Sequence, residues 1–177
     1  MLPIDTRAVF VALVALVAVQ RLLELRLSSR HVKQALARGG IESGARTYKN
    51  MVALHAAALS AAPLEVLWWH RPWIPFLAIP MLVLLVGAQV LRYWTIHTLG
   101  ARWMTRVIWV RGDRLVSSGP YRLMRHPNYA AVCVELAALP LVHTAWLTAL
   151  VATAANAAIL RQRIAIEENA LDRDCGR

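Results

Sequence analysis

Charge is scarce in this chain. Only 17% of its 177 residues are Asp, Glu, Lys or Arg, and 58% are hydrophobic; a soluble domain carries about a quarter charged residues and is nearer half apolar. The mean hydropathy is +0.46. The charges fall between apolar blocks, not within them. That distribution excludes an ordinary soluble domain and reads as a polytopic membrane protein. Cysteine is nearly absent too. Cys133 lies in an apolar run and Cys175 in the tail, which gives neither metal-ligand spacing nor a disulfide framework. Cys133 reads as a core residue. His55, His97 and His143 are too scattered to form a metal set, so no metal is expected. Ala8–Val19 lacks a small-residue cleavage site and continues into Arg21-Leu-Leu-Glu-Leu-Arg26, so it reads as a first span and not as a signal peptide. Internal repeats and low-complexity linkers are absent, and the length suits one domain over 1–177.

Acidic residues are also few, 10 against 20 Lys and Arg, for a net charge of +10. Such a surplus invites a nucleic-acid reading. The basic residues, however, sit in the connections between apolar runs, where the positive-inside rule accounts for them. The expected partner is the lipid bilayer, and nucleic acid is not expected.

The fold class that follows is an all-α integral membrane protein with five spans, at about 6–27, 51–69, 73–93, 128–140 and 144–161. Trp73–Leu91 carries no charge and matches the ~20 residues that cross a bilayer; Pro80 is expected to kink it. Trp68-Trp69-His70-Arg-Pro-Trp73 reads as an aromatic belt, which makes His70 interfacial. Gln20, Arg21 and Glu24 lie in or beside the first span, and Arg21 and Glu24 are expected to pair at i,i+3. The fourth span is short, so it and the fifth form a closed hairpin around Pro140–His143. The basic segments 26–49 and 98–126 and the helix end at Arg161 fall on one side. Charge and span parity therefore agree on an outside N-terminus and a cytoplasmic C-terminus in a multi-pass cell-membrane protein. Segment 26–49 reads as a loop broken by Gly39-Gly40 and Gly44. Within 98–126, Val107–Val110 and Leu115-Val116 flank Arg111-Gly-Asp113 and read as a short hairpin or extended loop.

Two polar clusters stand out against this background. Gly119-Pro-Tyr-Arg-Leu-Met-Arg-His-Pro-Asn-Tyr129 is a basic turn feeding an apolar helix. Pro127 suits the first helical position, with His126 as the cap. The amides of Asn128 and Tyr129 would face whatever lies in front of that helix, where the dipole favours an anion. The second cluster is Arg161-Gln-Arg-Ile-Ala-Ile-Glu-Glu168. At 100° per residue Asn156, Leu160, Arg163 and Glu167 share one face, and Glu168 lies about a quarter turn away. An interfacial helix end with a simple ion pair would look similar. Asn156, deep in the apolar hairpin, needs a partner and tips the balance towards a site.

Arg125-His-Pro-Asn-Tyr129, with Arg163 and Glu167-Glu168, resembles the isoprenylcysteine carboxyl methyltransferase family of integral-membrane, S-adenosylmethionine-dependent enzymes. Arg102-Trp-Met-Thr-Arg-Val-Ile-Trp-Val110 and Arg114-Leu-Val-Ser-Ser-Gly-Pro-Tyr-Arg122 are similar to the small bacterial branch found beside type III polyketide synthases, which methylates alkylpyrones and phenolic lipids. Gly39-Gly-Ile-Glu-Ser-Gly44 and Tyr48 resemble the same branch. The resemblance implies a cofactor site at the cytoplasmic face, between the 98–128 segment and the C-terminal helix, and S-adenosylhomocysteine as product. It implies that His126 and Tyr129 touch the cofactor, that Gly119-Pro120-Tyr121 turns beneath its nucleoside, and that Arg125 meets its carboxylate or a lipid phosphate. Methyl transfer from a sulfonium needs an oriented oxygen nucleophile and exclusion of water. A planar, permanently charged guanidinium suits that orientation, and Arg163 is the candidate. The resemblance puts Arg163 and Glu168 at the substrate; Asn156, on the Arg163 face, is the further substrate candidate. The helical wheel favours Glu167 as the partner of Arg163. Both stay open, Glu168 near the reacting oxygen and Glu167 towards the cofactor's ammonium. The expected acceptor is an alkylpyrone or phenolic polyketide lipid, with an isoprenylcysteine carboxylate as the alternative; a small non-enzymatic membrane protein is the competing class. Many family members continue into a Gly-x-x-Tyr-x-x-Tyr tail that helps cover the cofactor. Here Leu171-Asp-Arg-Asp-Cys-Gly-Arg177 stands instead, so either 98–118 supplies the lid or the site is more open.

Overall fold

A computed structural model describes residues 5–112 and 116–174, with side chains as far as Glu168. Among the described residues five α-helices carry the chain: α1 (Thr6–Ala37), α2 (Ala45–Trp68), α3 (Pro75–Leu99), α4 (Pro127–Leu141) and α5 (Trp146–Asp174). Thr6–Ala37, Ala45–Trp68 and Pro75–Arg102 are long and apolar enough to cross a membrane, and they suggest a multi-pass membrane protein. α4, at 15 residues, is shorter and packs mainly between α3 and α5. Large apolar side chains such as Phe76, Val83, Leu16 and Leu150 lie exposed on the outer surface, where a soluble protein would not gather them.

The chain changes direction at two ends of the bundle. At one end Arg7 Nη1 donates to His70 Nδ1 (2.8 Å) and His143 lies 3.2 Å from Thr6 Oγ1. His70 is exposed and His143 is buried beside Phe10. The Glu65 carboxylate, from the end of α2, accepts the Thr148 amide (2.8 Å), the Thr148 hydroxyl (2.8 Å) and the Leu147 amide (3.2 Å). It thereby satisfies orphan donors in the first turn of α5. Below this cap, Phe10, Val14, Val17, Val66, Leu85 and Leu139 form the main core.

The opposite end departs from the sequence expectation in one respect and adds a pairing that the sequence did not announce. Segment 26–49 is mostly helix: α1 runs on to Ala37 and α2 starts at Ala45. No breaker precedes Gly39, whose φ of +80° ends the turn. The extended residues Val107–Trp109 (β2) are present. They pair antiparallel with Ile41–Ser43 (β1), in the register Ile41 to Trp109 and Ser43 to Val107. The other half of the expected hairpin begins at Leu115, outside the described residues, as does Asp113. Side chains explain the pairing: Arg106 bonds Glu42 at 3.2 Å and stacks over Tyr48 at 5.0 Å. The ribbon joins the two basic segments into one cap, and Gly44 lets it close on Ile166 of α5. α3 continues without interruption through Pro80 as far as Leu99.

Between α1, α3 and α4 sits a buried charge cage. Arg21 pairs with Glu24 at 2.7 Å, as i,i+3 spacing predicts. Arg92 of α3 pairs with Glu135 of α4 at 2.9 Å. The pairs cross-link through Glu24–Arg92 (3.8 Å) and Arg21–Glu135 (3.7 Å). Gln89 accepts from Gln20 (2.7 Å) and Arg21 (3.1 Å) and donates to Glu135 (2.8 Å). Two cations and two anions cancel, which is what burial at such depth demands. Glu135 carries no local sequence signal; it reads as one polar residue in an apolar run.

Candidate active site

The first cluster is built by a tight turn. Gly119 has φ +58°, and a Cβ there would collide with the Thr98 side chain, so only glycine fits. The single turn Gly119–Arg122 follows, with Pro120 buried. It leads to α4, which starts at Pro127 with His126 in the cap position. The His126 side chain makes no capping bond. It stacks on Tyr129 instead, with 5.2 Å between ring centroids and 16° between planes. The Tyr129 amide donates to the His126 carbonyl at 3.1 Å. That corrects the expectation of two forward-facing amides: an i→i−3 bond closes the first turn and consumes one of them.

Tyr129 is the hub. Its hydroxyl donates to Glu167 Oε2 at 2.5 Å and accepts from Arg163 Nε at 2.9 Å. The Arg163 guanidinium stacks over the same ring at 5.6 Å. One of its terminal nitrogens donates to the Thr105 carbonyl. The other faces the Met51 sulfur at 3.8 Å, a weak acceptor. Arg163 is only 4% exposed. A fixed, buried cation with one weakly engaged nitrogen is equipped to take an anionic oxygen.

Glu168 occupies a different place. It is on the rim, with its side chain 46% exposed, 3.8 Å from His126 Nε2 and 3.9 Å from the exposed Arg125. The face read from the helical period is thus present: Arg163 and Glu167 meet through Tyr129, while Glu168 turns towards the start of α4. Asn156 is 1% exposed. It lies about 10 Å along α5 from Arg163 at 1.5 Å per residue, and its Nδ2 approaches Cys133 Sγ at 3.4 Å. Cys133, expected in the core, is only partly buried. Tyr121 stands near Glu167: burial pushes its hydroxyl up to about 12, and the neighbouring carboxylate adds to the shift.

Three buried atoms here lack partners: His126 Nε2, Asn128 Oδ1 and Asn156 Oδ1. Orphans of that kind call for an explanation, and two of the three border the α4 turn where a zwitterionic ligand would find donors and acceptors. The carboxylates Glu167 and Glu168 suit an ammonium, and Arg125 and His126 suit a carboxylate. Among the described residues no group of three His, Cys, Asp or Glu could hold a metal ion.

Sequence reading missed Thr105 and Met51, which complete the surroundings of Arg163, and Ser28, His31 and Trp103, which hold Thr105 in place. Trp103 and Thr105 lie within the Arg102–Val110 stretch that carries the resemblance, without a role assigned to them, and no motif marks Met51, Ser28 or His31. Thr105 acts through its carbonyl, which every residue has.

The long apolar helices suggest a small multi-pass membrane protein, with a polar cluster gathered where α4 begins against α5. Residues 81–173 match the isoprenylcysteine carboxyl methyltransferase (ICMT) family, and the chain belongs to that family. Membership points to S-adenosylmethionine-dependent methyl transfer. The chain is 35% identical to the uncharacterized protein YpbQ of Bacillus subtilis over 166 residues, covering 92% of this chain and 96% of that protein. It is 29% identical to an uncharacterized protein of Haemophilus influenzae over 154 residues, covering 85% and 88%. No solved structure matches the chain.

Proposed function

We propose that the chain is a membrane O-methyltransferase that uses S-adenosylmethionine to methylate an acidic oxygen on a lipophilic acceptor. The leading acceptor class is an alkylpyrone or phenolic polyketide lipid, because Arg102–Val110 and Arg114–Arg122 resemble that branch of the family. An isoprenylcysteine carboxylate is the second. Five spans, an outside N-terminus and a cytoplasmic cofactor site go with this reading, since basic segments and helix ends share one end of the bundle.

One observation carries the proposal: the buried Arg163 guanidinium, fixed by Tyr129 and Thr105, keeps a nitrogen against nothing stronger than the Met51 sulfur. That nitrogen would orient the acceptor's oxygen. Glu167 and Tyr129 hold the fork in place, and Glu168, on the rim, sits near enough to reach either the acceptor or the cofactor's ammonium. His126, Asn128, Tyr121, Pro120 and Arg125 would hold the cofactor, with the Tyr129 ring, stacked on His126, bordering it. Bound there, it would supply an electrophilic methyl group, which joins the acceptor oxygen as the sulfonium becomes a neutral thioether. The residues need supply no strong base, because an acidic hydroxyl or carboxylate is ionised without one. A long alkyl chain stays in the bilayer, at about 0.8 kcal/mol per buried CH₂, so the acceptor arrives from the lipid side.

The test is transfer of labelled methyl from S-adenosylmethionine to matched long-chain and short-chain 4-hydroxypyrones and to a farnesylcysteine analogue. The long-chain pyrone should be the best acceptor. Arg163→Lys keeps the charge and loses the fork, and turnover should fall about 100-fold, the scale of a 1 Å misplacement, with S-adenosylhomocysteine affinity nearly intact. Wild-type turnover in Arg163→Lys, or equal use of short and long chains, contradicts the proposal.

A further inference from the structure

The reading of Arg163 as the residue that orients the acceptor leaves open what sets the position of Arg163 itself. Its Nε partner, Tyr129, comes from α4, and its carbonyl partner is Thr105, in an irregular stretch between α3 and β2. A loop carbonyl is a poor reference point unless something rigid holds it. Here something does. The Thr105 amide donates to Ser28 Oγ at 2.9 Å, and the two hydroxyls of Ser28 and Thr105 lie 2.8 Å apart. Two residues back, the Trp103 carbonyl accepts from His31 Nδ1 at 2.7 Å. Ser28 and Trp103 are each 2% exposed.

Ser28 and His31 stand at i and i+3, on one face of α1. One turn earlier the same face carries Glu24, which the charge cage holds through Arg21 and Arg92. The contacts therefore form a continuous series: cage, α1, Ser28 and His31, the 103–105 strap, and the guanidinium of Arg163. The sequence places this stretch of α1 in a basic loop, with no part in the site.

We infer that Ser28 and His31 are positioning residues for Arg163, acting through the backbone of Trp103–Thr105; the inference rests on the role given to Arg163 above. Removing the outer hydrogen-bond partner of a metal ligand typically changes affinity or activity by about 10–100-fold, and a partner that orients a guanidinium is expected to act on the same scale. Ser28→Ala should lower turnover roughly tenfold, at the weak end of that range, without a comparable loss of S-adenosylhomocysteine affinity.

A readout independent of turnover comes first. In ¹⁵N-labelled protein in detergent, the Arg163 Nε–H resonance is identified by its loss in Arg163→Lys. It should be sharp in the wild type and broadened or lost in Ser28→Ala. His31→Gln can still donate to the Trp103 carbonyl and should keep the signal, whereas His31→Leu should weaken it; this pair carries the same test should Ser28→Ala fail to fold. In the methyl-transfer assay, Ser28→Ala combined with Arg163→Lys should be no slower than Arg163→Lys alone, because both act on one side chain. An unchanged Arg163 resonance in both Ser28→Ala and His31→Leu overturns the inference, as do additive losses in the double variant. A wild type that methylates none of the acceptors, while Ser28→Ala still loses the resonance, would sink the proposed activity and leave the positioning intact.

Discussion

Two charged clusters lie in this bundle, and they differ in how their groups are matched. In the cage of Arg21, Glu24, Arg92 and Glu135 each carboxylate meets both guanidiniums, and the charges cancel. At the start of α4 and the end of the apolar part of α5, the cluster around Arg163 has a bridged core and unmatched edges. Arg163, Tyr129 and Glu167 are bonded to one another, but His126 Nε2, Asn128 Oδ1 and Asn156 Oδ1 have no partner. Buried ionisable groups inside a membrane protein are costly unless paired or functional. The cage satisfies the first condition by charge: Arg21 Nε, Arg21 Nη1 and Arg92 Nε lack a hydrogen bond, yet each guanidinium has both carboxylates within 3.8 Å. In the second cluster Arg163 reaches Glu167 only through the Tyr129 hydroxyl, and the orphan atoms at the start of α4 fit a ligand. Depth alone would not have separated them; direct charge pairing does.

The comparison breaks most visibly at the cage. Glu135→Ala leaves Arg92 buried without its nearest carboxylate, and loss of one partner of a buried pair costs about 3–5 kcal/mol. Thermal unfolding in detergent should show a large drop or no folded protein. Replacing both partners, Arg92→Met with Glu135→Leu, should recover most of that loss, which a catalytic pair would not permit without loss of turnover.

A smaller effect is expected at the site. Tyr129→Phe removes the hydroxyl between Arg163 and Glu167, leaving both with an unmet bond at about 1–3 kcal/mol. Stability should fall by less than in Glu135→Ala, whereas methyl transfer should fall by far more than in the paired cage variant. Equal effects of the two on turnover would erase the distinction between the clusters.

The smallest effect concerns Tyr121. Its folded value, about 12, lies above the ordinary value of 10.0, through burial and then Glu167. A group whose folded value is raised contributes stability that is complete below the unfolded value. That contribution is present below pH 10 and is lost as pH rises towards 12. Tyr121→Phe should flatten the alkaline fall in stability across that window, and an identical fall in both proteins would mean that neither burial nor Glu167 raises the Tyr121 hydroxyl.

The sequence made some of this contrast legible. Block hydropathy gave the helices, and the Arg21–Glu24 spacing gave one edge of the cage. The period of α5 separated the Arg163–Glu167 face from Glu168, because a side chain's direction on a helix follows from 3.6 residues per turn. Pro127 marked the first turn of α4. What stayed hidden depended on tertiary contact. Glu135 has partners 43 and more residues away, the β1–β2 pairing joins two segments more than sixty residues apart, and Thr105 contributes a carbonyl that no residue type announces. The helical extension of α1 was masked by its charge: basic residues that suggest a loop are also good helix formers.

The most direct test of the central claim is calorimetric titration of S-adenosylhomocysteine into the detergent-purified protein and its variants. The wild type and the paired Arg92→Met, Glu135→Leu variant should bind alike. His126→Ala and Tyr129→Ala should each weaken binding about tenfold or more, the loss of about 1.4 kcal/mol of contact, while remaining folded. No binding by the wild type, or unchanged affinity in both His126→Ala and Tyr129→Ala, would contradict a cofactor site at the start of α4.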